Sequence, residues 1–198
     1  MSATTTTAQD MRVRTHCSPA WLAAPWTAVG DASQSPSELA TAVNNAFDQD
    51  GADVFVYFPV PLEGTAGEPP RDWDLVATIE RTRGACAQAV RCMRARQFGR
   101  LMFVAPSLPT LAPEWPPGWE FASWLAGLTR GLALELAAHG VTVNTVLVGM
   151  DGGLPWSPDA ADELRHAIQL FIDRDANYLT GQVMHVCGGR SMVSIFSH

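Results

Sequence analysis

The chain lacks any apolar run long enough to cross a bilayer, although 47% of its 198 residues are apolar, and so no membrane span is expected. It also lacks the continuous apolar core of a secretion signal, because its opening "MSATTTTAQDMRVRTH" is polar and Thr-rich. Positive charge is sparse: thirteen basic residues stand against twenty acidic ones, a formal charge of −7. No basic stripe forms, which argues against nucleic acid as a partner. Cys17, Cys86, Cys92 and Cys187 lie too far apart for a zinc site or a disulfide scaffold and read as reduced thiols. Together these absences point to a cytoplasmic protein with neither a membrane nor a nucleic-acid partner.

What is present is one domain's worth of alternating punctuation. Residues 1–24 are expected to be a flexible or partly ordered N-terminal segment, and residues 25–198 a single domain. "APWTAVGDAS" suits a strand leading to a turn at Asp31. Ser35, Pro36 and Glu38 form a capping box, with proline at the first helical position. Leu39, Val43, Ala46 and Phe47 then recur at helical spacing. "ADVFVYFPV" is a strand buried on both faces, and Asp72 is placed to cap a long helix running to about Arg96. Leu75, Val76, Ile79, Ala87, Val90 and Met93 mark the inward side of that helix. "GRLMFVAP" is a second buried strand, and residues 118–139 form a helix stopped by Gly140. "VTVNTVLVG", a capped helix and "GQVMHVCGG" complete the pattern. Strands alternating with helices of crossover length predict an α/β fold with an open parallel sheet.

The wording of these pieces resembles the short-chain dehydrogenase/reductase family, which includes the 3-oxoacyl carrier-protein reductases. "GLTRGLALELAAHGVTVNTVLVG" is similar to the helix and strand that follow the family's catalytic pair. "YLTGQVMHVCGGRSM" resembles its closing segment, and "DWDLVATIERTRGACAQAVRCMRARQFGRLMFVAP" its long helix and serine-bearing strand. The resemblance implies a truncated Rossmann-like fold, an open parallel sheet flanked by helices with the first βαβ unit largely missing.

The departures fall on the chemistry. The family's T-G-x-x-x-G-x-G turn, where backbone meets a pyrophosphate, has no counterpart, since Gly30 is the only glycine before Asp31. Counting back from Gly127-Leu128-Thr129-Arg130, the family's tyrosine falls on Gly118 and its lysine on Ala122. Ala105 and Pro106 stand where the family carries serine, and Glu80 where it carries the helix asparagine. "YFPV", Tyr57 to Val60, replaces Asn-Asn-Ala-Gly. Glycine and alanine neither protonate an oxyanion nor lower a neighbouring pKa.

The resemblance therefore implies no catalytic residue, no metal and no cofactor site in this chain. NAD(P)H would belong to a full-length catalytic paralogue, joined to this chain as a heterodimer or an α2β2 heterotetramer. Family helices equivalent to residues 72–96 and 118–139 pair across a two-fold axis. The expected interface is Ile79, Arg83, Val90, Phe121, Trp124, Leu125, Leu128, Leu132 and Phe196, with Gly84, Ala85, Ala89, Ala122, Ala126, Gly127 and Ala133 allowing close approach. Two rivals stand beside this reading. One is a homo-oligomeric scaffold, or a binder of a small apolar ligand in a hollow lined by Trp73, Trp115, Trp119, Trp124 and Trp156. The other is altered chemistry at Glu80 and Ser107, for which no oriented base is traced. His185 with Cys187, and His16 with Cys17, are spaced wrongly for a chelate.

Overall fold

Reciprocal capping sets where the first helix begins. The Ser35 amide donates to the Glu38 carboxylate at 2.9 Å, and the Glu38 amide donates to Ser35 Oγ at 3.3 Å, which satisfies two donors a helix start leaves orphaned. The computed structural model describes residues 27–31, 34–48, 51–60, 74–107, 116–149 and 158–188. In it α1 runs Pro36–Asp48 and buries Leu39, Val43 and Phe47 along one face. Residues 1–24 lie outside the described residues, as do Phe196, His16, Cys17, Trp73, Trp115 and Trp156.

Strand β1 (Thr27–Asp31) precedes α1 and β2 (Val54–Phe58) follows it. The order continues α2 (Leu75–Arg96), β3 (Gly99–Pro106), α3 (Pro116–Leu136), β4 (Val141–Val148), α4 (Pro158–Ile172) and β5 (Val183–Val186). A short 3-10 turn, Ala137–His139, extends α3, and Gly140 closes it at φ 65°. A Cβ at Gly140 would meet the Gln97 carbonyl oxygen at 2.7 Å, so both conformation and space demand glycine.

All five strands are parallel and lie in chain order, β1-β2-β3-β4-β5. Every residue of β2, β3 and β4 is buried, as a sheet covered on both faces requires. Phe55, Tyr57, Leu101, Phe103, Val143 and Leu147 point to the layer made by α1, α2 and α3. Val54, Val56, Met102, Val104, Val146 and Val148 point to the layer made by α4. The sheet grows in one direction throughout, yet its last crossover changes face, so that crossover has the opposite hand to the first three.

Two local readings need correction. The cap of α2 is Asp74, not Asp72: its carboxylate accepts the Ala77 amide at 3.1 Å. The inward face of α2 is Thr78, Thr82, Ala85, Cys86, Ala89 and Met93, whereas Val76 is 67% exposed and Ala87 is exposed. The two threonines enter the core because each hydroxyl donates to the carbonyl one turn back, Asp74 at 2.8 Å and Thr78 at 2.7 Å. Their polarity is satisfied before they reach the sheet.

At the base of the sheet Arg100 is the largest fully buried side chain, 1% exposed. Its guanidinium donates to the carbonyls of Gly99 at 3.1 Å, Asp173 at 3.1 Å and Arg174 at 2.7 Å, and to Asn177 Oδ1 at 2.8 Å. It also lies over the Phe98 ring, 4.4 Å from the centroid. Burial pulls its pKa below the ordinary arginine value, while Asp53 and Asp173 push the other way. Arg174 in turn pairs with Asp53 at the start of β2. The network ties β2 and β3 to the α4–β5 connection.

Arg100→Met would remove the donor shared by those acceptors and break the network, and the unfolding free energy should drop by about 3 kcal/mol. Urea denaturation followed by circular dichroism reads this directly, and a loss below about 1 kcal/mol would show the network to be idle. The bonds from Ser35 hold Glu38 below the ordinary carboxylate value. A lowered pKa stabilises the fold above the unfolded value and the effect is lost as pH falls through the folded one. The Tm gap between wild type and Glu38→Gln, present at neutral pH, should therefore close under acid; a gap constant with pH would contradict the assignment.

Candidate functional site

In open α/β sheets ligands settle outside the carboxyl ends of strands, where successive connections leave toward opposite faces. Here β3 leads to α3 on one face and β4 leads to α4 on the other, so the crevice belongs between Ser107 and Gly149. Both margins are drawn in tightly. The Ser107 amide donates to the Val148 carbonyl at 2.5 Å and the residue is fully buried. A Cβ on Gly149 would sit 2.5 Å from Cys187 Cβ, which shows how closely β4 and β5 approach there.

Among the described residues, the side chains at this end other than Ser107 are mostly apolar. Ala105 is fully buried and Pro106 ends β3. Gly118 lies in the first turn of α3 and Ala122 is half-buried one turn on. Tyr57, 1% exposed, stacks on Phe55 with centroids 5.9 Å apart, and Phe58 and Val60 are buried beside it. Phe121 and Trp124 pack at 5.8 Å. Glu80 is on the outer side of α2, ion-paired with Arg83 at 3.0 Å and 63% exposed, whereas Ser107 is inside; the two share no environment in which one activates the other. The sequence also contains no lysine at any position, so no change of register restores that member of the family's pair.

A pyrophosphate needs free amides at a helix start. The turn from β1 leads into α1, but its Ser35 amide is already bonded to the Glu38 carboxylate. A second anion at that helix end would face this carboxylate at close range. The donor set at the start of α1 does not fit a dinucleotide.

The expected interface divides in two. Phe121 and Leu125 are fully buried in the chain's own core and present nothing to a partner, because they sit on the sheet-facing side of α3. Ile79, Val90, Trp124, Leu128 and Leu132 are half-buried and also pack on that core, while Arg83 is exposed. Ala85, Ala89 and Ala133 are core residues as well. The outward surface is formed instead by Gly84 on α2 and by Gly127, Gly131 and Leu134 on α3. Leu134 is 82% exposed, and a Cβ on any of the three glycines would meet nothing within 4 Å. Gly131 and Leu134 escaped the sequence reading. The signal was there in their spacing from Gly127, which places all three on one helix face.

The Cys86 and Cys92 thiols are not poised for chemistry. Burial pushes the Cys86 thiol well up, and burial followed by the Asp48 charge raises Cys92, so neither is a ready thiolate. His185 is exposed on β5 and Cys187 half-buried just past it. Among the described residues no group of three or more His, Cys, Asp or Glu is arranged to hold a metal, and no helix is long and apolar enough to cross a membrane.

No family model matches the chain. Individual proteins do. Subunit BbsD of the (2S)-[(R)-hydroxy(phenyl)methyl]succinyl-CoA dehydrogenase of Thauera aromatica is 28% identical over 61% of this chain and 57% of its own length. Subunit BbsC of the same enzyme is 38% identical over 35% of this chain and 34% of its own. The 3-oxoacyl-[acyl-carrier-protein] reductase FabG of Escherichia coli is 28% identical over 62% of this chain and 59% of its own length. The matched stretches thus span less than two thirds of these relatives. Among solved structures, a short-chain dehydrogenase/reductase of Serratia marcescens, the F98L/F202L mutant, superimposes with a TM-score of 0.59 at 25% identity, covering 79% of this chain and 74% of that one. In sequence and in fold the chain is thus similar to short-chain dehydrogenases/reductases.

Proposed function

We propose that the chain is a non-catalytic subunit of a heteromeric NAD(P)-dependent ketoreductase or hydroxyacyl dehydrogenase, paired with a full-length active relative as a heterodimer or α2β2 heterotetramer. One observation carries the reading: the family's proton-relay positions hold Gly118 and Ala122 in a sequence with no lysine. The bonded α1 start adds to it, since Glu38 stands where a pyrophosphate would need open amides. So does the likeness to BbsD and BbsC, whose names make them subunits of one (2S)-[(R)-hydroxy(phenyl)methyl]succinyl-CoA dehydrogenase.

In this arrangement dinucleotide and hydride transfer belong to the partner. This chain's part is mechanical: the outer face of α2 and α3 braces the partner's corresponding helices, which carry its catalytic residues. Helical glycine costs about 1 kcal/mol relative to alanine, and Gly84, Gly127 and Gly131 give no return within this chain, because the space beside each is open. A helix packed against them from outside would explain all three.

Co-expression with a full-length family member from the same organism should yield a co-migrating complex, and the partner alone should lose stability or activity. Separate migration, or an equally active lone partner, would sink the reading. The purified chain should show no dinucleotide-dependent carbonyl reduction, and Gly118→Tyr with Ala122→Lys should create none; measurable turnover by the chain alone would also end the proposal. Gly127→Ala should raise the chain's own stability by up to about 1 kcal/mol, whereas Gly127→Leu should leave the chain folded and break the complex. An intact complex with Gly127→Leu would remove this face from the interface.

A further inference from the structure

The two sides of β2 are closed by different means. Phe55 and Tyr57 lie in one cluster with Leu39, Val43 and Phe47 of α1. On the other side Val54, Val56 and Phe58 are each 0% exposed, yet α4, the described helix of that layer, lies chiefly over β3, β4 and β5. Beyond β2 at this margin only the backbone of β1 is described, paired from Thr27 opposite Val54 to Asp31 opposite Phe58. An apolar row at the margin of a sheet, with no described helix centred on it, would be left wet. The row is dry in the chain by itself, so its cover comes from this chain's own residues.

Connectivity narrows the choice. The segments after β2 and β3 lead to α2 and α3 in the opposite layer, and the chain after Gly188 leaves from the far edge of the sheet. The residues before Thr27 join the sheet at the β1 edge, beside Val54 at the foot of the row. Their apolar content is concentrated in "PAWLAAPW", Pro19–Trp26, after a polar and Thr-rich start. Eight residues reach up to about 26 Å when extended, against about 10 Å for the width of two strands and about 17 Å for their length. From this we infer that Pro19–Trp26 closes the α4 side of β1 and β2, laying Trp21 and Leu22 over Val56 and Phe58. An indole beside a leucine brings the large apolar surface such a row requires. The inference is independent of the heteromeric reading, since it concerns the layer opposite α2 and α3.

Hydroxyl-radical footprinting with mass spectrometry tests it by reading the wetness of Phe58, on this side, against Met93 in the opposite core. Both should be protected in the full chain. In the Trp21→Ser, Leu22→Ser double variant, labelling of Phe58 should rise about fivefold or more while Met93 stays protected, and a hydrophobic dye should bind. A matched Met11→Ser, Val13→Ser variant should behave as wild type. Phe58 labelling and a urea midpoint both equal to wild type in the Trp21, Leu22 variant overturn the inference. Should that variant fail to fold while the matched control folds, the closure is supported, because substitutions on a solvated tail change stability little. Protection of Phe58 that appears only as protein concentration rises would assign the cover to a second copy and equally overturn the inference.

Discussion

The arrangement depends on a single buried cation. Arg100 sits at the foot of the third strand and is shielded from water, with acceptors supplied by the connection between α4 and β5. A charge in that position is tolerable only if its donors are met, so the connection must return to the foot of the sheet. Arg174, carried by that same connection, closes the loop by pairing with Asp53. Asn144 adds a second anchor, donating to the Leu179 carbonyl at 2.7 Å and accepting the Gln182 amide at 3.1 Å. The last strand is thereby held on β4 although the helix before it crosses the opposite face.

Against this secure base, the described side chains at the carboxyl end of the sheet are mostly apolar. Tyr57, Phe58, Val60 and Ala105 close it with apolar atoms, and the helix end that would greet a phosphate is bonded to its own glutamate. Packing and capping are here the reverse of binding. Each group that completes the fold locally, such as Glu38 on Ser35, is a group no longer open to a ligand. The buried Thr129 and Thr145 hydroxyls, 2.6 Å apart, show the same economy: Thr129 donates to the Leu125 carbonyl and accepts from Thr145, which joins α3 to β4.

Much of this was legible in the sequence because each element announced itself by a local rule. The Ser35, Pro36 and Glu38 box, the β-branched runs of β2 and β4, and Gly140 depend on near neighbours, and the structure contains all of them. Faces were harder. Thr78 and Thr82 look like surface residues until their hydroxyls are seen bonding within the helix, and Val76 looks like core though it lies outside. On α3 apolar residues surround the axis, so sequence alone does not say whether Phe121 or Leu134 faces the sheet; packing on β4 decides. Gly118 and Ala122, by contrast, are placed by counting back from Gly127 along one uninterrupted helix.

The strand order has a consequence for how the molecule assembles. Each strand lies beside its chain neighbour, so each pairing closes one helical crossover and none must wait for a strand beyond the next. Such a sheet suits vectorial folding on the ribosome: each newly emerged strand finds its template already in place, and the last crossover, of contrary hand, is added to an almost finished scaffold.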